Sequence, residues 1–293
     1  MAKSPSHTFG QIIGNMIELS IEPLLFQFAQ QHGLYLDKEG KRPARRGTKV
    51  SWVDSNGNKH DLDYVLEKGG SDQRIGVPVA FIEVAWRRYK KHSRNKAQEI
   101  QGALQPLAET YRNNNPFLGA VLAGVFTNGA LNQLKSLGFK TLYFPYDLII
   151  QAFGSVNINA QFDETTPDSE FANRVSKWNS LPDERHRLVR KQLTKSHMAE
   201  ILRFMQSLSL SVSREVILVR IYPLHGASFE FYSVEKALSF IDKYDESNSD
   251  RVQFLRYGVE IHYNNGENMK GEFMSKQTAM EFMRQYHLTL DKS

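Results

Sequence analysis

HDLDYVLEKGGSDQRIGVPVAFIEVAWRRYKKHSRNKAQEI, residues His60 to Ile100, reads as strand, break, strand and helix. Val77 to Trp86 is a nearly continuous apolar run rich in β-branched and aromatic residues, the pattern of a central strand covered on both faces. The Gly69-Gly70 pair closes the strand before it, His60 to Glu67, and a polar helix is expected after it from about Ser93 to Tyr111. Working outward, Val50 to Asp54 and His60 to Glu67 flank Asn56-Gly57-Asn58, a hairpin turn signal. Farther upstream, Ile12, Ile13, Met16, Ile17, Leu24, Leu25 and Phe28 recur at helical spacing between about Thr8 and Gly33, with Pro23 as a point of bending. Downstream, GAVLAGVFT, LNQLKSLG, KTLYFPY and DLIIQAF alternate strand and helix. The expected order is helix, three strands, helix, strand, helix, strand, helix, an α/β architecture.

Two acidic residues interrupt this pattern. Asp63 falls in the second hairpin strand, and Glu83 sits among Phe81, Ile82, Val84 and Trp86. An unpaired carboxylate is costly to bury, so each side chain faces either solvent or a cleft that holds a cation. Basic residues cluster nearby in Lys41–Lys49 (KRPARRGTK) and Arg87–Lys96 (RRYKKHSRNK), and again in Arg185–Lys195 (RHRLVRKQLTK). The net charge of +5 is unevenly placed: from Arg214 onward ten Lys/Arg meet twelve Asp/Glu, which leaves +7 on residues 1–213. Such runs form solvated faces or meet phosphates, where each cation releases condensed counterions. Arg45, Arg46, Arg87, Arg88, Lys90, Lys91 and Arg94 are the candidate DNA-binding residues.

An acidic residue on one strand and another about twenty residues later on the next resembles the PD-(D/E)xK nucleases, the restriction-endonuclease-like superfamily. The resemblance covers residues 8–153 and implies an α-β-β-β-α-β core with Mg²⁺ as cofactor and DNA as partner. It implies that Asp63, Glu83 and the Val84 carbonyl hold the metal. Two residues after Glu83, where the pattern expects lysine, stands Ala85. Lys96, in the first turns of the following helix, is the candidate to replace that lysine, with Gln98 or Glu99 completing the polar shell. Gly14-Asn15-Met16-Ile17-Glu18 resembles the G-x-x-x-E of the family's first helix, which makes Glu18 a further catalytic candidate and places Glu22 on the same face. The expected activity is metal-dependent DNA endonuclease, of a restriction or other defence system. Ala85 keeps open the alternative of a catalytically inactive nuclease fold that binds DNA or a protein partner.

The absence of cysteine excludes disulfides, thiolate zinc and a cysteine nucleophile. The nine histidines show no paired metal-ligand spacing, and no phosphate-cradling glycine loop marks a nucleotide cofactor. The N-terminus MAKSPSHTFG lacks a secretory core and no long apolar run suggests a membrane span, so a cytoplasmic protein is expected. Residues 161–210 read as a linker, FDETTPDSE, followed by one long basic helix from Pro182. From 211 to 293 a shift of 42 residues aligns Arg214/Arg256, Glu230/Glu272, Phe231/Phe273, Ser233/Ser275, Ala237/Ala279, Phe240/Phe282 and Tyr244/Tyr286. Chance would give about two such matches. This part is expected to be an α+β module of two ββα repeats, following the nuclease core of residues 1–160 and serving target reading, homodimerisation or partner docking.

Overall fold

The computed structural model describes residues 4–223, 227–247, 254–264 and 266–287. The chain forms two compact units, Met1–Leu208 and Ser209–Ser293. In the first, α1 (Pro5–Gln31) leads to β1 (Leu34–Lys38), a hairpin of β2 (Val50–Val53) and β3 (Lys59–Leu62), then β4 (Tyr64–Lys68) and β5 (Val77–Arg87). There follow α2 (Ser93–Thr110), β6 (Phe117–Gly124), α3 (Asn128–Ser136), β7 (Lys140–Pro145), α4 (Tyr146–Gly154), α5 (Asp168–Asn179), α6 (Asp183–Ser196) and α7 (Met198–Val212). Five strands form one mixed sheet in the order β1-β4-β5-β6-β7. β1, β4 and β5 are antiparallel, whereas β5, β6 and β7 are parallel and joined through helices. The unit is therefore mixed α/β, and the central place of β5 accounts for its apolar run.

The hairpin differs from expectation. β2 and β3 pair only with each other, as a separate two-stranded sheet, and the run His60 to Glu67 is broken at Asp63 into β3 and β4. On the edge away from β5, the partner of β4 is β1, with Leu36 opposite Leu66 and Asp37 opposite Val65, a strand that sequence reading left out. The turn forms as expected: Asp54 N–H donates to the Asn58 carbonyl, and Gly57 has φ +84. Val50, Trp52 and Leu62 join Phe81, Ala85, Ala97, Ile100 and Leu104 in a single core under α2, which anchors the hairpin against the main sheet.

α1 starts at Ser4, whose hydroxyl accepts the His7 N–H, runs unbroken through Pro23, and ends before Gly33 at φ +63. By length and composition it is apolar enough to cross a membrane, contrary to the sequence reading. Its Phe9, Ile13, Ile17, Ile21 and Leu25 are fully buried, and the helix packs on β1, β5, α5 and α6. Residues 161–208 belong to this unit and do not form a free linker. Phe162 is buried beside Phe9, Tyr146 and Phe171. The single long helix expected from Pro182 is two helices, parted at His197.

The second unit contains β8 (Val216–Tyr222), β9 (Phe229–Phe231), α8 (Val234–Lys243), β10 (Tyr257–Tyr263), β11 (Asn268–Phe273) and α9 (Lys276–His287). The strands order as β11-β10-β8-β9, so each hairpin lies beside the other through its first strand. Val219 pairs with Ile261, its equivalent 42 residues on, which places a pseudo-twofold axis at that pair. Phe231 meets Phe240 at 5.0 Å and Phe273 meets Phe282 at 4.9 Å, the same contact in both repeats. Ser233 and Ser275 cap their helices identically, accepting from Lys236 N and Thr278 N. Ala237 and Ala279 are fully buried, and Phe231 and Phe273 are half-buried against the same core. The side chain of Tyr286 lies outside the described residues. The hairpins differ in register: Phe231 pairs with Val219, whereas Phe273 pairs with Tyr257, four residues short of the equivalent Ile261. An even slide keeps each side chain on its own face.

Candidate functional site

β4 and β5 remain paired as far as Tyr64 and Ile82, and at Asp63 the chain swings away into β3. The Asp63 carboxylate fills the gap so opened, with Oδ2 accepting the Val84 N–H at 2.6 Å. In an extended strand a residue's N–H and C=O point to the same neighbour, so the Val84 carbonyl also faces this gap. Glu83 alternates with Phe81 and Ala85 on the face covered by α2. It is 8% exposed, and its Oε1 has no hydrogen-bond partner among the described residues. Burial above all, and then the charge of Asp63, pushes the Glu83 carboxyl up to about 8. The Lys96 ammonium and the Asp63 N–H pull it the other way. Asp63 is raised by burial and by Glu39, against the Val84 N–H and Lys96.

Lys96 stands in the first turn of α2, next to buried Ala97, and is close enough to both carboxylates to act on each. Its ammonium lies 3.4 Å from Glu99, which also faces Arg87 at 3.6 Å. From the other side α1 contributes Glu18, pushed up to about 7 by burial, then by Asp63, Glu39 and Glu22. Glu18, Glu22, Lys38, Glu39, Lys49, Asp61, Leu62, Asp63 and Tyr64 line a cleft of about 470 Å³.

The carboxylates thus crowd together with too little positive charge to match them. Asp63, Glu83, Glu18 and the Val84 carbonyl are hard oxygen donors of the kind Mg²⁺ takes. The unpartnered Glu83 Oε1 fits a cation that would complete its coordination. Among the described residues, no three Asp, Glu or His side chains already stand as a closed ligand set.

The structure thus brings together Asp63, Glu83, Val84, Lys96 and Glu18. The candidate DNA-binding residues divide. Arg45 turns inward onto Asp37, the Lys38 carbonyl and the Gly47 carbonyl. Arg88 donates to the Phe162 carbonyl and lies over the Tyr146 ring at 4.3 Å. Both guanidinium groups, assigned to phosphate from the sequence, are engaged by the fold instead. Arg46, Lys90 and Arg94 are exposed, Lys91 pairs with Glu164 at 2.7 Å, and Arg87 faces Glu99. Sequence reading did not single out Glu39, Lys38, Lys49 and Asp61, which line the cleft, or the buried Arg42. Arg42 is buried, bonded to Glu67 at 2.7 and 2.9 Å and to Asp37 at 2.9 Å. Asp37 and Glu67 are acids inside strands, the same signal that singled out Glu83, and each marks a buried cation partner.

No family model matches this chain, and no curated protein matches it. A crystal structure of a protein of unknown function, AF1548, is similar over 66% of this chain and 98% of its own, at 9% identity and a TM-score of 0.28. A likeness that slight carries no argument about fold or function.

Proposed function

We propose that this chain is a divalent-metal-dependent nuclease that hydrolyses DNA phosphodiester bonds, built on a restriction-endonuclease-like core. The observation that carries this reading is the meeting of Asp63, Glu83 and Lys96 where β4 and β5 part, with a buried Glu83 oxygen left unpartnered. The core order follows as α1, β1, β4, β5, α2 and β6, with the β2–β3 hairpin inserted between the first two strands of the set. In this reading Asp63, Glu83 and the Val84 carbonyl hold the metal, and Glu18 adds a carboxylate from α1. When bound, the ion would supply Lewis acidity and a lowered water pKa. The Val84 N–H fixes the Asp63 carboxylate through its 2.6 Å bond, and Asp63 lines the cleft. Lys96 places a positive charge where a phosphodiester gains negative charge in the transition state. Glu99 pairs with that ammonium and is itself faced by Arg87.

Plasmid cleavage in Mg²⁺ against EDTA tests the proposal. Cleavage should require the metal and be abolished by Asp63→Ala or Glu83→Ala with the circular dichroism spectrum unchanged. Cleavage that persists in either variant refutes it. A second reading, a silent nuclease fold that binds DNA or a protein partner, draws on the lack of a closed three-residue ligand set among the described residues. DNA binding with no cleavage under any divalent cation would select it.

A further inference from the structure

Within the run Lys41–Lys49, Arg42 and Arg45 point into the protein and are not available to phosphate, whereas Lys49 is exposed. Two exposed cations from different elements, Lys38 and Lys49, line the cleft. Lys38, at the end of β1, pairs with Glu22 of α1. Lys49, at the start of the inserted hairpin, pairs with Asp61 at 2.8 Å, and Ser51 holds the same carboxylate at 2.5 Å. Their side chains are 49% and 67% exposed, unlike Arg42 at 2%. Asp63 lines the same cleft.

We infer that Lys38 and Lys49 are the substrate grips of this cleft: they exchange Glu22 and Asp61 for the phosphates flanking the scissile one. The inference rests on the nuclease reading and adds the path of the strand. Exposed ion pairs are worth little, so giving up a carboxylate for a phosphate costs little. Without these two cations, a polyanion would approach Glu18, Glu22, Glu39, Asp61 and Asp63 against their combined charge. The hairpin is anchored through Val50, Trp52 and Leu62, so Lys49 is presented on a fixed support. The ligand class is a phosphodiester backbone, and sequence information must come from elsewhere on the surface.

The test is DNA binding measured with single-stranded and duplex oligonucleotides in Ca²⁺, which uses the same oxygen ligands. Lys49→Ala and Lys38→Ala should each weaken binding about 5- to 8-fold at 0.1 M salt and lower the salt slope by about 0.7 to 0.9. Asp61→Asn and Glu22→Gln, which free the lysines, should tighten binding. Thermal melting of all four should match the wild type, as loss of a surface pair predicts. Unchanged binding in the two lysine variants, with cleavage still lost in Asp63→Ala, reduces Lys38 and Lys49 to intramolecular ion pairs and overturns the inference. Loss of cleavage in Asp61→Asn also overturns it, because Asp61 would then serve the metal. Cleavage that survives Asp63→Ala sinks the nuclease reading itself, and the binding series still judges the lysines.

Discussion

Glu83→Gln separates the electrostatics of the site from its chemistry. An acid whose pKa is raised on folding keeps a proton that the unfolded chain has already released, so stability falls as pH rises between the two values. For Glu83 that window runs from its ordinary 4.5 to about 8. At pH 4 both states are protonated and the residue contributes no pH dependence; above pH 8 the full cost of a buried, repelled carboxylate is present. The slope inside the window is at most about −1.4 kcal/mol per pH unit, and the whole span amounts to on the order of 5 kcal/mol, less whatever water the cleft admits. The amide of the Gln variant imitates the protonated acid and cannot ionise. Urea denaturation from pH 5 to 9 should therefore give curves that diverge with rising pH, with the variant the more stable at pH 8.5. Mg²⁺ should recover most of the difference for the wild type and little for the variant, because a ligand of the folded state stabilises by mass action. Parallel curves at all pH values, or equal stabilisation of both proteins by Mg²⁺, would refute the reasoning.

Two further predictions concern the scaffold. Arg42→Met leaves Asp37 and Glu67 buried without their shared cation and should cost about 3–5 kcal/mol in denaturation, with a loss under 1 kcal/mol counting against the network. Ala237→Leu and Ala279→Leu fill equivalent sites in the two ββα repeats and should each cost about 1–3 kcal/mol, equal within roughly 0.5; a clear inequality would show that the repeat symmetry does not extend to its core.

Much of the first unit was legible because its interior strands are short apolar runs. β5, β6 and β7 follow directly from VPVAFIEVAW, GAVLAGVFT and KTLYFPY, and the helices between them follow from period and punctuation. The failures have one physical cause, that pairing partners are not written locally. LYLDK is only five residues long and lies past the helix stop at Gly33, where no element was assigned, so β1 was missed and its place given to β2. KHDLDYVLEK contains no glycine or proline at Asp63, so the break that sends β3 and β4 into different sheets left no mark in the composition. The arginines failed differently. KRPARR looks the same whether its side chains meet phosphate or Asp37 and Glu67, and only the second arrangement satisfies acids buried in strands. Of the candidate site, Asp63, Glu83, Lys96 and Glu18 were singled out from the sequence, whereas Glu39 comes from the loop after the missed strand and left no signal at all.

Ala85 accounts for the candidate lysine standing on a helix and not on the strand. Position 85 shares the face of β5 with Phe81 and Glu83 and is 3% exposed, inside the core to which α2 contributes Ala97, Ile100 and Leu104. Ala85, Ala97 and Ala120 are all small, which lets α2 close down on the sheet. A lysine at 85 would have to drive four methylenes and a charge into that packing, which is both overpacked and without a partner. The same close approach sets Lys96, one residue before Ala97, over Asp63 and Glu83. The missing strand lysine and the helix lysine are thus one packing arrangement. Lys96→Ala should lower cleavage by about 10²-fold or more while weakening DNA binding only as for one phosphate contact. Adding Ala85→Lys should not restore cleavage and should destabilise the protein by about 1–3 kcal/mol or more. A double variant that cuts DNA at the wild-type rate would show that position 85 has room for the lysine, and the account of α2 as the determinant of the site would fall.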